Sequence, residues 1–288
     1  VQNNDSTNYN VAVGYDAGLS ITTGTQNVLI GGKTGDALTT GTDNVAIGRA
    51  SLTTDDVGNK STAVGVNTLS AQNYATSTDS YNVAMGYSAG TAVTTGVQNT
   101  LIGGLAGDAL TDADYNVAVG KESLTAMTLG SRNVGVGTFT LMSANVTTAT
   151  DTYNTAVGHH AGASVTTGTS NTLIGGLAGD ALTTAAANVA VGKSALSADT
   201  LGSTSTAIGR GALKVQNFTT ATNAYNTAVG AFAGEAVTTG ANNTLIGGLS
   251  GDALTTGAGN VSVGTSSLSA SQTGNNGTAV GYGALAAT

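Results

Sequence analysis

Asn10-Val11-Ala12-Val13-Gly14 returns as Asn27-Val28-Leu29-Ile30-Gly31, Asn44-Val45-Ala46-Ile47-Gly48 and Ser61-Thr62-Ala63-Val64-Gly65, and then through the rest of the chain. Sixteen copies are present, and their closing glycines stand 17, 17, 17 and then 21 residues apart. The steps add to a super-period of 72, and the chain of 288 residues holds four of them. A strict period this short marks a solenoid, in which each coil buries its apolar face only by stacking on its neighbours. The expected fold is all-β: a parallel β-solenoid of sixteen coils in four super-repeats, approximately 1–72, 73–144, 145–216 and 217–288. The unbroken repeat argues for a single body, and at ~4.8 Å per stacked coil it would be roughly 75 Å long.

Within the five-residue motif, position two is Val or Thr in every coil, and position four is Val or Ile except at Met85. In a strand these two side chains share a face, and β-branched residues fit a pleated surface. This face is expected to be the solenoid core. Position three points the other way and is also apolar or small, which requires a second cover. A second chain supplies it most simply. The self-association residues expected on this reading are Ala12, Leu29, Ala84, Leu101, Ala156, Leu173, Ala228 and Leu245. Position five is always Gly, as a tight turn with positive φ or a close backbone approach demands. Position one is Asn in thirteen coils, a spacing at which stacked side-chain amides form a ladder. Four residues after the closing glycine the chain alternates between Gly (Gly18, Gly35) and Leu (Leu52, Leu69). Where it is Gly, an apolar residue follows three further on (Ile21, Leu38), so each coil receives one bulky core filler.

Every fourth coil carries four extra residues, around Tyr74, Val146 and Phe218, and returns through Tyr81, Tyr153 or Tyr225. Insertions in solenoids map to loops on one face, often the contacting one. Tyr74, Val146 and Phe218 are therefore candidate contact-loop residues, against the alternative that the insertions are spacers correcting coil twist.

Composition narrows the function classes. A net charge of −8, with only eight scattered Lys and Arg, does not make a nucleic-acid surface. The absence of Cys removes disulfides and thiolate metal sites. No apolar run approaches the roughly 18 residues of a membrane span, so this segment is expected not to insert. Gly32-Lys33-Thr34 lacks the earlier glycine of a phosphate loop. His159-His160 is the one histidine pair, expected to face opposite ways as strand neighbours. The column Asp36, Asp108, Asp180 and Asp252 offers one carboxylate per super-repeat, sparse for calcium. No catalytic constellation recurs with the period, so the expectation is a non-enzyme with no metal or other cofactor.

The run Tyr81-Asn82-Val83-Ala84-Met85-Gly86-Tyr87-Ser88-Ala89-Gly90 resembles the head repeats of trimeric autotransporter adhesins. Stretches similar to Thr94-to-Gly103 occur also in phage tail-fibre and other surface-fibre proteins. The resemblance covers all sixteen coils. It implies a left-handed β-roll, three chains side by side with position three at the threefold axis, and a role in adhesion at a cell surface or on a virion. The family's coils are commonly shorter, and its neck, coiled-coil stalk and membrane barrel have no counterpart in this sequence. The chain reads as a segment of a longer extracellular repeat protein: a structural fibre or adhesin mediating surface attachment or filament assembly. Its expected partners are its own copies, as trimer or filament, and a host receptor or surface glycan. A phage tail-fibre shaft is the alternative. An ice- or carbohydrate-binding solenoid fits less well, because the Thr-Thr-Gly rows break at Asp55-Asp56 and Met127-Thr128.

Overall fold

The computed structural model describes residues 8–286. They form two compact units, one of residues up to 139 together with 145–151, the other of 140–144 with 152 onward. Each unit is a parallel β-solenoid with eight of the sixteen motif strands, and no helix occurs among the described residues. Every motif contributes a three-residue strand at positions two to four, as in Val28–Ile30 and Val45–Ile47. Register is strict: Val28 pairs with Val45, Leu29 with Ala46 and Ile30 with Ile47. In the second unit Thr172, Leu173 and Ile174 meet Val189, Ala190 and Val191 in the same way. The 17-residue step is thus the length of one coil.

The strand faces are the reverse of the sequence expectation. Position three turns into the coil: Leu29, Ala46, Ala63, Ala84, Leu101, Ala156, Leu173, Ala228 and Leu245 are fully buried by their own chain. Positions two and four turn outward and are half-buried or exposed. The physical reason is volume. A coil this narrow takes one inward side chain per strand, and the outward pair has room for β-branched residues.

The core is filled by compensation between neighbouring coils. Leu29 occupies space that Gly18 and Gly35 leave open, since a Cβ at those sites would lie 2.8 and 2.9 Å from its two Cδ atoms. Where position three is Ala, as at Ala46 and Ala63, the same column supplies buried Leu52 and Leu69. These leucines adopt left-handed backbone (φ 53° and 47°). That conformation costs a non-glycine residue about 1–2 kcal/mol. Burying a leucine side chain returns about 1.5–3 kcal/mol, so filling the core outweighs the strain.

The asparagine column forms the expected amide ladder. Asn44 donates Nδ2 to Asn27 Oδ1 (3.1 Å) and to the Gly58 carbonyl (2.9 Å), and its backbone N–H donates to Asn27 Oδ1 (3.0 Å). The pattern continues through Asn99, Asn116 and Asn133, and again from Asn154 to Asn171. Each buried amide is satisfied by the adjacent coils, so the ladder holds their spacing.

Candidate functional site on the outward sheet face

The outward face consists of two columns of side chains, Val or Thr beside Val, Ile or Met. None of the sixteen motif strands contains a charged residue. In the first unit Val11, Val13, Ile30 and Met85 are exposed, Met85 to 45%. In the second, Ile174, Ile208, Ile246, Val261 and Val280 are exposed. Tyrosines bracket the strands in sequence. Tyr9, Tyr81, Tyr115, Tyr153 and Tyr225 precede the motif in left-handed backbone, Tyr15, Tyr87 and Tyr282 follow its glycine, and all are exposed. Sheet faces in contact with water ordinarily carry polar side chains. The face is free of charge, its position-four column is aliphatic throughout apart from Met85, and its position-two column is half threonine; with tyrosines around it, this is the composition of a contact surface.

The residues expected at this surface lie elsewhere. Leu29, Ala84, Leu101, Ala156, Leu173, Ala228 and Leu245 belong to the core, and Ala12, in the first coil, is half-buried. They cannot meet another chain without unpacking their own. The columns that face outward, Val11/Val13 through Thr278/Val280, are the ones that alternation and β-branching alone place in the core. A signal for the correct orientation does exist in the sequence. Position three is Leu where the flanking coils carry Gly18 and Gly35, and Ala where they carry Leu52 and Leu69. Sizes that compensate in this way must share one filled volume.

The insertions also differ from expectation. Tyr74, Val146 and Phe218 are buried to 5%, 7% and 6% exposure and act as core plugs, not as protruding tips. The Tyr74 hydroxyl donates to the Gly96 carbonyl (2.9 Å) and accepts from Asn82 Nδ2 (3.2 Å). Exposed tips of the loops are small or polar, Ala75-Thr76-Ser77 and Thr219-Thr220-Ala221 among them. Beneath the first insertion is a buried polar cluster. Gln72 Nε2 donates to Asp55 Oδ2 and Ser61 Oγ (both 2.7 Å), Gly58 N donates to Asp55 Oδ1 (2.9 Å), and Asn82 Nδ2 donates to Gln72 Oε1 (3.0 Å). Burial raises the Asp55 pKa, while the hydrogen bonds from Gln72 and Gly58 oppose the rise. The third super-repeat rebuilds this arrangement with Asp199 and Gln216, whereas the second has Met127 and Ala144 in their places.

The remaining chemical candidates do not converge. His159 and His160 lie in the turn after Gly158 rather than in a strand, with ring centroids 4.2 Å apart. Asp36 and Asp108 accept from Thr53 and Thr125 one coil on, each at 2.5 Å. Asp180 and Asp252 face Ser197 and Ser269 in that column, and each keeps one buried carboxylate oxygen without a hydrogen bond. Burial raises both pKa values. Among the described residues no three His, Cys, Asp or Glu side chains group as metal ligands. No protein-family model matches the chain, and a search of curated proteins finds no match to it.

Proposed function

We propose that this chain is a segment of an extracellular structural fibre or adhesin, whose coils assemble with further copies of the chain through the outward Val/Thr and Val/Ile/Met columns. The observation that carries this reading is the charge-free strand face with exposed Ile30, Met85, Ile174 and Ile246. The Val/Ile/Met column is stabilised by covering it, the threonines beside it carry no charge that would oppose burial, and an identical surface on a second copy matches it in spacing. A parallel trimer is the arrangement that the resemblance to adhesin heads favours. The contact has moved from position three to positions two and four, and the logic of assembly is otherwise unchanged. Attachment to a host receptor or surface glycan then belongs to the assembled fibre.

Sedimentation velocity tests the assembly. The wild-type chain is expected to sediment as an oligomer, and a Met85→Lys/Ile174→Lys double variant as a folded monomer with an unchanged circular dichroism spectrum. A wild-type chain that remains monomeric at every concentration contradicts the proposal.

A further inference from the structure

In a repeat protein, a feature that one repeat has and its siblings lack is not required by the fold. The third super-repeat holds such a feature. Lys193, Ser194, Arg210, Gly211, Lys214 and Phe232 line one surface cavity of about 200 Å³. Three of the protein's eight Lys and Arg therefore surround a single opening in a chain of net charge −8. One super-repeat earlier the corresponding residues are Lys121, Glu122, Thr138, Phe139, Met142 and His160. Two super-repeats earlier they are Arg49, Ala50, Val66, Asn67, Ser70 and Ser88.

The changes act together. In the second super-repeat Lys121 is occupied: Glu122 pairs with it at 2.8 Å, and its ammonium lies 5.4 Å from the Phe139 ring centre. In the third, Ser194 replaces the acid and Gly211 replaces the ring. The Lys193 ammonium consequently has no ion pair, hydrogen bond or ring contact among the described residues, and it is the Phe232 ring of the following coil that lies against Gly211. Gly211 takes the same left-handed backbone as Phe139 (φ 66° and 62°), but a Cβ there would lie 2.8 Å from the Phe232 ring, so the glycine is what lets that ring line the cavity. Arg210 is held over the Phe232 ring at 5.0 Å, which orients its guanidinium. Lys214 is shared with Glu235 at 3.2 Å.

We infer that this cavity binds a tetrahedral dianion, a phosphate or sulfate group, either as the free ion or as an ester carried on a polysaccharide. Three cations against one carboxylate leave a double positive charge, which a dianion neutralises and a lone carboxylate does not. A planar guanidinium supplies a two-pronged donor, the two ammonium groups supply movable ones, and the Ser194 hydroxyl adds a neutral donor. Lys193 and Arg210 follow the closing glycines Gly192 and Gly209, in the column that carries Tyr15 and Tyr87 beside the outward strand face.

Titration of the 288-residue chain with sodium phosphate, sodium sulfate and dextran sulfate, followed by amide chemical shifts at Ser194 and Gly211, tests the inference. Saturable shifts confined to these residues are expected, with Lys193→Ala and Arg210→Ala each weakening binding on the order of tenfold. Glu235→Gln should tighten it by releasing Lys214. Lys193→Glu should abolish it with an unchanged circular dichroism spectrum. Competition of dextran sulfate against phosphate with higher affinity assigns an ester ligand, and tighter phosphate binding assigns the free ion. Shifts that never saturate with any of the three, or that spread equally to the neighbourhoods of Lys60 and Arg132, overturn the inference.

Discussion

At Gly103 the backbone has φ +136°, and a Cβ built there would lie 2.5 Å from the Gly120 carbonyl oxygen in the next coil. Conformation and close approach therefore both exclude a side chain, and the two alternatives left by the repeat pattern prove to be the same constraint. Gly103→Ala is expected to cost at least about 1–3 kcal/mol from backbone strain alone, with displacement of the neighbouring coil added, measurable by chemical denaturation. Asn99 is bound as tightly into its surroundings. It donates to the Ala113 carbonyl, and its Oδ1 accepts from Asn116 N. Asn99→Leu leaves both partners buried without a bond, at about 1–3 kcal/mol each. This constancy was legible because backbone demands of this kind admit one residue type. Orientation of the strand was not. Alternation separates two faces but does not say which is inside when both are apolar. Only the reciprocal sizes of Leu29 with Gly18 and Gly35 distinguish them.

The long coils show how an element departs from its repeat. The insertion around Tyr74 is legible as four added residues, but the rule that loops face water predicts a protruding side chain there. Here the longer coil leaves extra interior volume, and Tyr74, Val146 or Phe218 fills it. Tyr74→Ala should cost about 3–5 kcal/mol, as for other buried aromatics. Tyr74→Phe, which matches Phe218 in the third super-repeat, should lose only the hydroxyl bonds, about 1 kcal/mol. Beside it, Asp55 makes stability depend on pH. Its folded pKa is raised by burial, so the folded state binds a proton more readily than the unfolded chain. Its contribution is fully present below the unfolded value near 3.8 and is lost as pH rises through the higher folded value. Asp180 and Asp252 act with the same sign. Exposed Asp79, lowered by its hydrogen bond from Lys60, acts with the opposite sign. Denaturation midpoints followed upward from pH 4 should fall through the Asp55 titration, and Asp55→Asn should flatten that part of the profile.

For the molecule as a whole, coil number, parallel stacking and absence of helix follow from a period that never slips. The proposed contact surface was less legible, since it depends on which face of a three-residue strand remains outside. Inward position three and outward positions two and four underlie the proposed assembly, the core compensation and the expected behaviour of every variant on the strands. The protein has no cysteine, so a single introduced thiol reports one position without background. Neighbouring residues Ala84 and Met85 lie on opposite faces of the same strand, fully buried and 45% exposed. The most direct measurement is the maleimide reaction rate of Ala84→Cys against Met85→Cys, at a dilution where sedimentation shows dissociated chains. The thiol at 85 is expected to react as a free surface cysteine and that at 84 to be protected until the chain unfolds; rapid reaction at 84 with protection at 85 would contradict the account.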